Sequence, residues 1–167
     1  SSMIDSNRVR CGVVGLGGWG TKRRATLRQA GCFEIVGGVD VRPEIFAEAE
    51  AEEGHALKRY ADVSQLCEDS QIDAVFICTP AQLHVPQAMT AARAGKAVFT
   101  EKPLGPDPHA CRELVDYCEQ NHIPHGHDFS MRFAPQWQYV RQIVASGQLG
   151  KIVSISAATM STAGFFF

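Results

Sequence analysis

The sequence predicts an α/β fold built on a doubly wound, mostly parallel sheet, and three observations carry that expectation. Short apolar runs suited to buried strands alternate along the chain with longer helix-forming stretches. The spacing between successive runs leaves room for a crossover helix, which parallel pairing requires. The first apolar run then stops abruptly at Gly15-Leu16-Gly17-Gly18-Trp19-Gly20, before helix-forming sequence.

Val9 to Val14 is a short run, apolar apart from Arg10, as suits a strand buried on both faces. Gly15, Gly17 and Gly20 match G-x-G-x-x-G, and a helix is expected from Thr21 to Ala30. Gly15 would permit the tight turn, Gly17 the close approach of backbone to a pyrophosphate, and Gly20 the packing of helix on strand. Gly18 and Trp19 lie within the same turn and join the candidate cofactor contacts. The helix N-terminus adds free N–H groups and a partial positive charge.

Phe33 to Val39 is the second expected strand, and Asp40 stands at its end, 25 residues after Gly15. A carboxylate there can accept both hydroxyls of an adenosine ribose, as a dinucleotide site requires. An ordinary turn aspartate is the alternative. The ordered set of strand, glycines, helix, strand and acid favours dinucleotide binding.

Pro43 suits the first turn of a helix over Glu44–Glu53, which ends at Gly54. Asp62-Val63-Ser64-Gln65 resembles a capping box that opens a short helix through Glu68. Ile72 to Thr79 is the third clear strand, ending at Pro80. A helix follows from Leu83 to Ala94, closed by Gly95, and then a short strand from Lys96 to Thr100. Asp107-Pro108 caps a helix to Asn121. A strand over Ile123–Phe129, a helix over Ala134–Ser146 and a final strand over Lys151–Ala157 complete the expectation.

A chain of 167 residues suffices for one well-buried domain and leaves little for a second. A net charge of −2 gives no electrostatic reason to expect nucleic acid or an anionic membrane as partner. No apolar run is long enough for a transmembrane helix, and the N-terminus lacks the regions of a signal peptide. Ser1-Ser2 before Met3 looks like an expression scar, and residues 1–7 are expected to form a disordered tail. Six cysteines without a C-x-x-C, two of them inside expected core strands, suit a reduced cytoplasmic protein. The apolar end, Phe165-Phe166-Phe167, is expected to pack on a further surface and makes a homo-oligomer plausible.

Ligands of an open α/β sheet bind beyond the carboxyl ends of its strands. Three loops qualify. Thr79, Pro80 and His84 can carry polar groups to a nicotinamide or sugar, although His84 suits a packed helix N-terminal residue equally well. Glu101-Lys102-Pro103 follows a strand directly, where a lysine can hydrogen-bond a substrate hydroxyl and act as a base if desolvated. A surface ion pair before a turn is the alternative there. His122, His125 and His127 invite a metal reading, but Pro124 and Gly126 disturb the strand and no further ligands complete a set. No metal is therefore expected. Arg132 is read as structural or cofactor-facing.

Taken together, the chain resembles the glucose–fructose oxidoreductase and inositol dehydrogenase family of nicotinamide-dependent sugar oxidoreductases. The resemblance covers residues 8 to about 160 and rests on G-L-G-G-W-G at 15–20, Asp40 and C-T-P-A-Q-L-H at 78–84. E-K-P at 101–103, M-R-F-A-P at 131–135 and G-Q-L-G-K-I at 147–152 continue it in order. The resemblance implies a Rossmann-type domain over residues 8–130, and over 131–167 the start of a truncated second α+β domain. It implies that Lys102 is the active-site lysine, that Glu101 supports the cofactor ribose, and that the bond before Pro103 is cis. It maps the glycines and Asp40 onto the cofactor site. Asp128 departs from the pattern by standing where the family carries glycine. The family's second domain, with its D-x-x-x-H-like motif and most substrate contacts, has no counterpart here.

Two functions of different class follow. One is hydride transfer between a nicotinamide cofactor and a sugar or cyclitol hydroxyl, with NAD favoured because Asp40 would repel a 2′-phosphate. Arg42, two residues later, can pair with that phosphate, which keeps NADP open. The other is a non-catalytic cofactor-binding module or redox-state sensor, because much of the surface that orients a substrate is missing.

Overall fold

A computed structural model of the chain describes residues 8–158. The expected N-terminal tail and the apolar Phe165–Phe167 end lie outside the described residues. Six strands form one sheet in the order β3-β2-β1-β4-β5-β6, and every pairing between neighbours is parallel. The strands are β1 (Val9–Val14), β2 (Phe33–Val39), β3 (Lys58–Arg59), β4 (Ala74–Ile77), β5 (Ala97–Thr100) and β6 (His125–His127). Order reverses between β1 and β4, which places a topological switch point at the centre of the sheet.

Alternation along the strands assigns side chains to two cores. Cys11 and Val13 of β1 and Ala74 and Phe76 of β4 pack with Leu27 of α1 (Trp19–Ala30) and with Phe46 and Ala49 of α2 (Ile45–Glu53). Val14, Val75 and Ile77 face the other way. They meet Leu66 of α3 (Val63–Glu68), Ala88, Ala91 and Ala92 of α4 (His84–Arg93), and Leu114 and Cys118 of α5 (Pro108–Gln120). Helices thus cover both faces. This is the doubly wound arrangement, and every pairing is parallel where the sequence predicts mostly parallel ones.

The caps are local and largely as the sequence implies. Gly31 and Gly54 close α1 and α2 in the left-handed region, and the Gly54 amide donates to Glu50 O at 2.9 Å. Asp62 Oδ1 accepts from the Gln65 amide at 2.9 Å. The Gln65 side chain accepts in turn from the Ala61 amide, one residue before the cap, at 2.6 Å. Asp107 accepts from the His109 amide at the start of α5.

Five elements differ from expectation. Strand β3 goes unseen in the sequence because Lys58-Arg59 has no β pattern; charge suits it to the sheet edge, where it pairs with Gly37-Gly38. Strands β4 and β6 are shorter than the spans expected for them, and α1 begins two residues early, at Trp19. The expected strand over Lys151–Ala157 is not formed. A strand is stabilised by a neighbour's amides and carbonyls, and the unit that holds these residues offers none among the described residues.

The chain divides into two compact units, one running through Asp128 and the other beginning at Phe129, two residues before the expected boundary. The second holds a 3₁₀ turn at Ser130–Phe133 and α6 (Pro135–Ala145), none of whose residues is buried. Among the described residues no helix is long and apolar enough to cross a membrane.

Helix α1 is clamped to α2 by a buried arginine that no sequence pattern marks. Arg24 donates to Leu16 O at 2.7 Å, to Glu52 at 2.6 Å and to Glu53 at 3.1 Å, and Glu53 also pairs with Arg28. Arg24 and Glu53 side chains are 1% and 2% exposed, so removing one partner strands a charge in the interior. Arg24→Met is expected to lower unfolding stability by about 3 kcal/mol, read from urea denaturation. Retention of wild-type stability would contradict the clamp.

Candidate functional site

The glycine turn is held from below and from the side. Gly15 adopts φ +85°, and a Cβ on it would stand 3.0 Å from the Cys78 carbonyl group. Gly20 begins the helix so close to the turn that a Cβ would lie 1.9 Å from Gly15 O. Both positions admit only glycine, for conformation at the first and for space at the second. Gly17 differs, because a Cβ there would meet the Arg42 guanidinium, the far end of a flexible side chain. Gly18, with φ +51°, is the cap residue of α1. No side chain caps this helix and no acid lies in its first turn, which leaves the positive end of its dipole unneutralised.

Asp40 is fastened to that turn. Its Oδ2 accepts from the Leu16 amide at 2.8 Å, and its Oδ1 accepts from the Arg42 amide at 3.0 Å and the Arg42 guanidinium at 3.4 Å. Burial disfavours the charged carboxylate, but these three donors outweigh it and hold the Asp40 pKa below its ordinary value. The acid is therefore ionised at neutral pH.

A crevice of about 340 Å³ opens at the carboxyl ends of β1, β2 and β4, lined by Gly15, Gly17, Asp40, Arg42, Thr79 and Pro80 among others. Six of the sequence-predicted residues thus share one cavity at the switch point. Thr79 donates to Gln87 Oε1 across its wall, a partner the sequence does not single out. Burial pushes the Cys78 thiol up to about 12, so this crevice residue stays an unreactive thiol.

His84 is not among the lining residues. It is 1% exposed, with Nε2 2.6 Å from Thr79 O and Nδ1 2.7 Å from Pro103 O. Its two ring nitrogens meet backbone carbonyl oxygens of different segments, so the ring bridges the loop after β4 and the loop after β5. The Lys102–Pro103 bond between them is cis.

Glu101 and Lys102 lie at the end of β5, outside the crevice lining. Glu101 is 2% exposed and accepts at Oε1 from Arg23, through Nη2 and through Nε at 3.1 Å. Arg23 also donates to Asp128 at 2.6 Å, and its guanidinium lies 4.9 Å over the Phe99 ring. Glu101 Oε2 is buried with no hydrogen-bond partner among the described residues. Lys102 is exposed and carries its ammonium 5.0 Å over Trp19, whose ring also attracts Lys22 at 4.2 Å. Sequence reasoning missed Arg23. The available signal was Asp128 itself, an extra acid near a strand end that calls for a cation.

On β6, His127 Nδ1 lies 2.7 Å from Thr100 Oγ1, and exposed His125 meets Ile123 O. Among the described residues, no three His, Cys, Asp or Glu side chains gather as metal ligands.

A family model described as "Oxidoreductase family, NAD-binding Rossmann fold", that of the glucose–fructose oxidoreductases and inositol dehydrogenases, matches residues 9–126. The chain belongs to this family. Among the family's members, the inositol 2-dehydrogenase of Corynebacterium glutamicum is 29% identical over 151 residues, covering 90% of this chain and 45% of the relative. The D-xylose 1-dehydrogenase (NADP(+)) 2 of Haloferax volcanii is 32% identical, covering 87% and 44%. The scyllo-inositol dehydrogenase from Lactobacillus casei, solved with bound NAD(H) and scyllo-inositol, superposes with a TM-score of 0.77 at 29% identity. That superposition covers 86% of this chain and 42% of that one. The chain therefore spans less than half the length of these family relatives. Asp128, where the resemblance leads one to expect glycine, forms an ion pair with Arg23.

Two outcomes follow from this geometry. Gly20→Ala forces a methyl against the Gly15 carbonyl and is expected to cost roughly 1–3 kcal/mol, seen as a lowered Tm; an unchanged Tm would refute the contact. Acid should weaken the fold in two stages. Burial lowers the His127 pKa below its ordinary 6.5, so its contribution is complete above 6.5 and is lost as pH falls through the folded value. Asp40, depressed below its ordinary 3.8, adds a further loss as pH falls from 3.8 through its folded value. Thermal melts from about pH 8 to about pH 2 check this, and His127→Gln should remove the upper stage.

Proposed function

We propose that this chain is the cofactor-binding part of a nicotinamide-dependent dehydrogenase that acts on a hydroxyl of a sugar or cyclitol. The observation that carries the reading is the Asp40 carboxylate, ionised and hydrogen-bonded to the glycine turn at the mouth of a crevice at the switch point. Gly15, Gly17, Gly18, Trp19 and Gly20 would hold the paired phosphates with backbone amides at the start of α1. Asp40 would accept the adenosine ribose hydroxyls, and Thr79, Pro80 and His84 would shape the wall toward the nicotinamide. Glu101 Oε2, buried and without a hydrogen-bond partner among the described residues, is an acceptor suited to a second sugar hydroxyl.

A bound nicotinamide supplies hydride transfer, and the protein supplies orientation and proton handling. Lys102 would hold the substrate hydroxyl by donation from its ammonium, or take the proton once deprotonated. The named activities of the inositol and xylose relatives support a polyol substrate. The ionised Asp40 supports NAD, whereas the adjacent Arg42 guanidinium supplies the charge that a 2′-phosphate would need. Residues 129–158 would form the start of a substrate domain.

A second reading, cofactor binding without turnover, is favoured by the exposure of Lys102, whose ammonium meets only the Trp19 ring among the contacts described. Calorimetric titration with NADH and NADPH, followed by a polyol panel, separates the two. NADH is expected to bind, and Asp40→Asn to weaken it about tenfold by removing a charged acceptor. Turnover abolished by Lys102→Ala supports the enzyme, and binding without turnover supports the module. Absence of any thermal shift or heat with either cofactor would sink both readings.

A further inference from the structure

The two halves of the sheet each end a strand in an acid. Asp40 immediately follows Val39, the last residue of β2, and Glu101 immediately follows Thr100, the last residue of β5. Strands β2 and β5 each stand one place out from the β1–β4 switch, so the two carboxylates occupy equivalent positions about it.

Their partners differ. Both oxygens of Asp40 accept hydrogen bonds from its own half of the site. Glu101 has one oxygen, Oε1, taken twice by Arg23, while Oε2 is buried without a partner among the described residues. A desolvated carboxylate oxygen without a donor is costly, and a hydroxyl that reaches it restores the missing bond. Arg23 itself is shared, because Asp128 takes a second interaction at 2.6 Å. The trio carries two negative charges and one positive, so Glu101 is positioned without being neutralised. Burial alone disfavours the Arg23 charge, but the two carboxylates outweigh it and raise its pKa.

We propose that Arg23, braced by Asp128, is a positioning residue that fixes Glu101 so that Oε2 is presented to a hydroxyl of the second sugar of a dinucleotide. This rests on the dinucleotide reading above, but it assigns work to two residues outside the glycine motif.

The test compares ADP, which ends at the paired phosphates, with ADP-ribose, which adds the second sugar alone. Calorimetry on the whole chain is expected to show ADP-ribose bound about tenfold more tightly than ADP. Arg23→Gln should reduce that preference to about unity while leaving ADP affinity within about twofold, so ADP binding certifies the folded crevice. Asp40→Asn, by contrast, should weaken both ligands alike. If Arg23→Gln does not fold, Arg23→Lys keeps the charge without the two-pronged grip and should lose most of the preference. Asp128→Asn should also reduce it. An undiminished preference in a variant that still binds ADP overturns the proposal and leaves the dinucleotide reading standing. Equal wild-type affinity for the two ligands overturns it as well. Wild-type binding of neither ligand removes the dinucleotide reading itself.

Discussion

The hydrogen bond from the Leu16 amide to Asp40 Oδ2 is the constraint on which the rest of the site depends. It joins the tip of the first β–α turn to the end of the neighbouring strand, so the two cannot move apart without losing a charge-assisted bond. The turn is fixed from its other side as well. Gly20 packs against Gly15 O, and Gly15 lies on the backbone of Cys78 at the end of β4. Three adjacent strands therefore locate one small loop, and the crevice exists because their ends converge there.

Helix α1 carries the second organising feature. Arg23 and Arg24 are consecutive, and in a helix consecutive side chains point about 100° apart. Arg24 turns toward Leu16 O and the two acids of α2, and Arg23 turns toward Glu101 and Asp128 at the ends of β5 and β6. One turn of helix thus fastens α2 on one side and the β5–β6 half of the sheet on the other. Both arginines are largely withdrawn from water, which gives their pairings directional weight that surface pairs lack.

His84 binds the two candidate loops in a similar way, through carbonyls rather than charges. Its ring spans Thr79 O and Pro103 O, so the loop after β4 and the loop bearing Lys102 share one buried support. The alternatives open for this residue in the sequence, a polar contribution to the ligand loop or a packed helix start, describe a single placement here: the ring packs, and by packing it sets the loop.

By itself the sequence determined the elements whose chemistry is local. Cys11–Val14 had to be buried, Gly15 to Gly20 had to turn, and Asp40 had to stand at a strand end, because apolar runs, missing Cβ atoms and chain spacing act over a few residues. Only the tertiary structure decided which charges meet. Arg23 and Asp128 lie 105 positions apart, and Lys58-Arg59 becomes a strand solely because Gly37-Gly38 offers it an edge. The residues at 151–158 show the converse, a β-like pattern that stays unpaired among the described residues. Ion pairs and sheet ladders need a partner brought near by the fold, and a pattern in one segment carries no record of that partner.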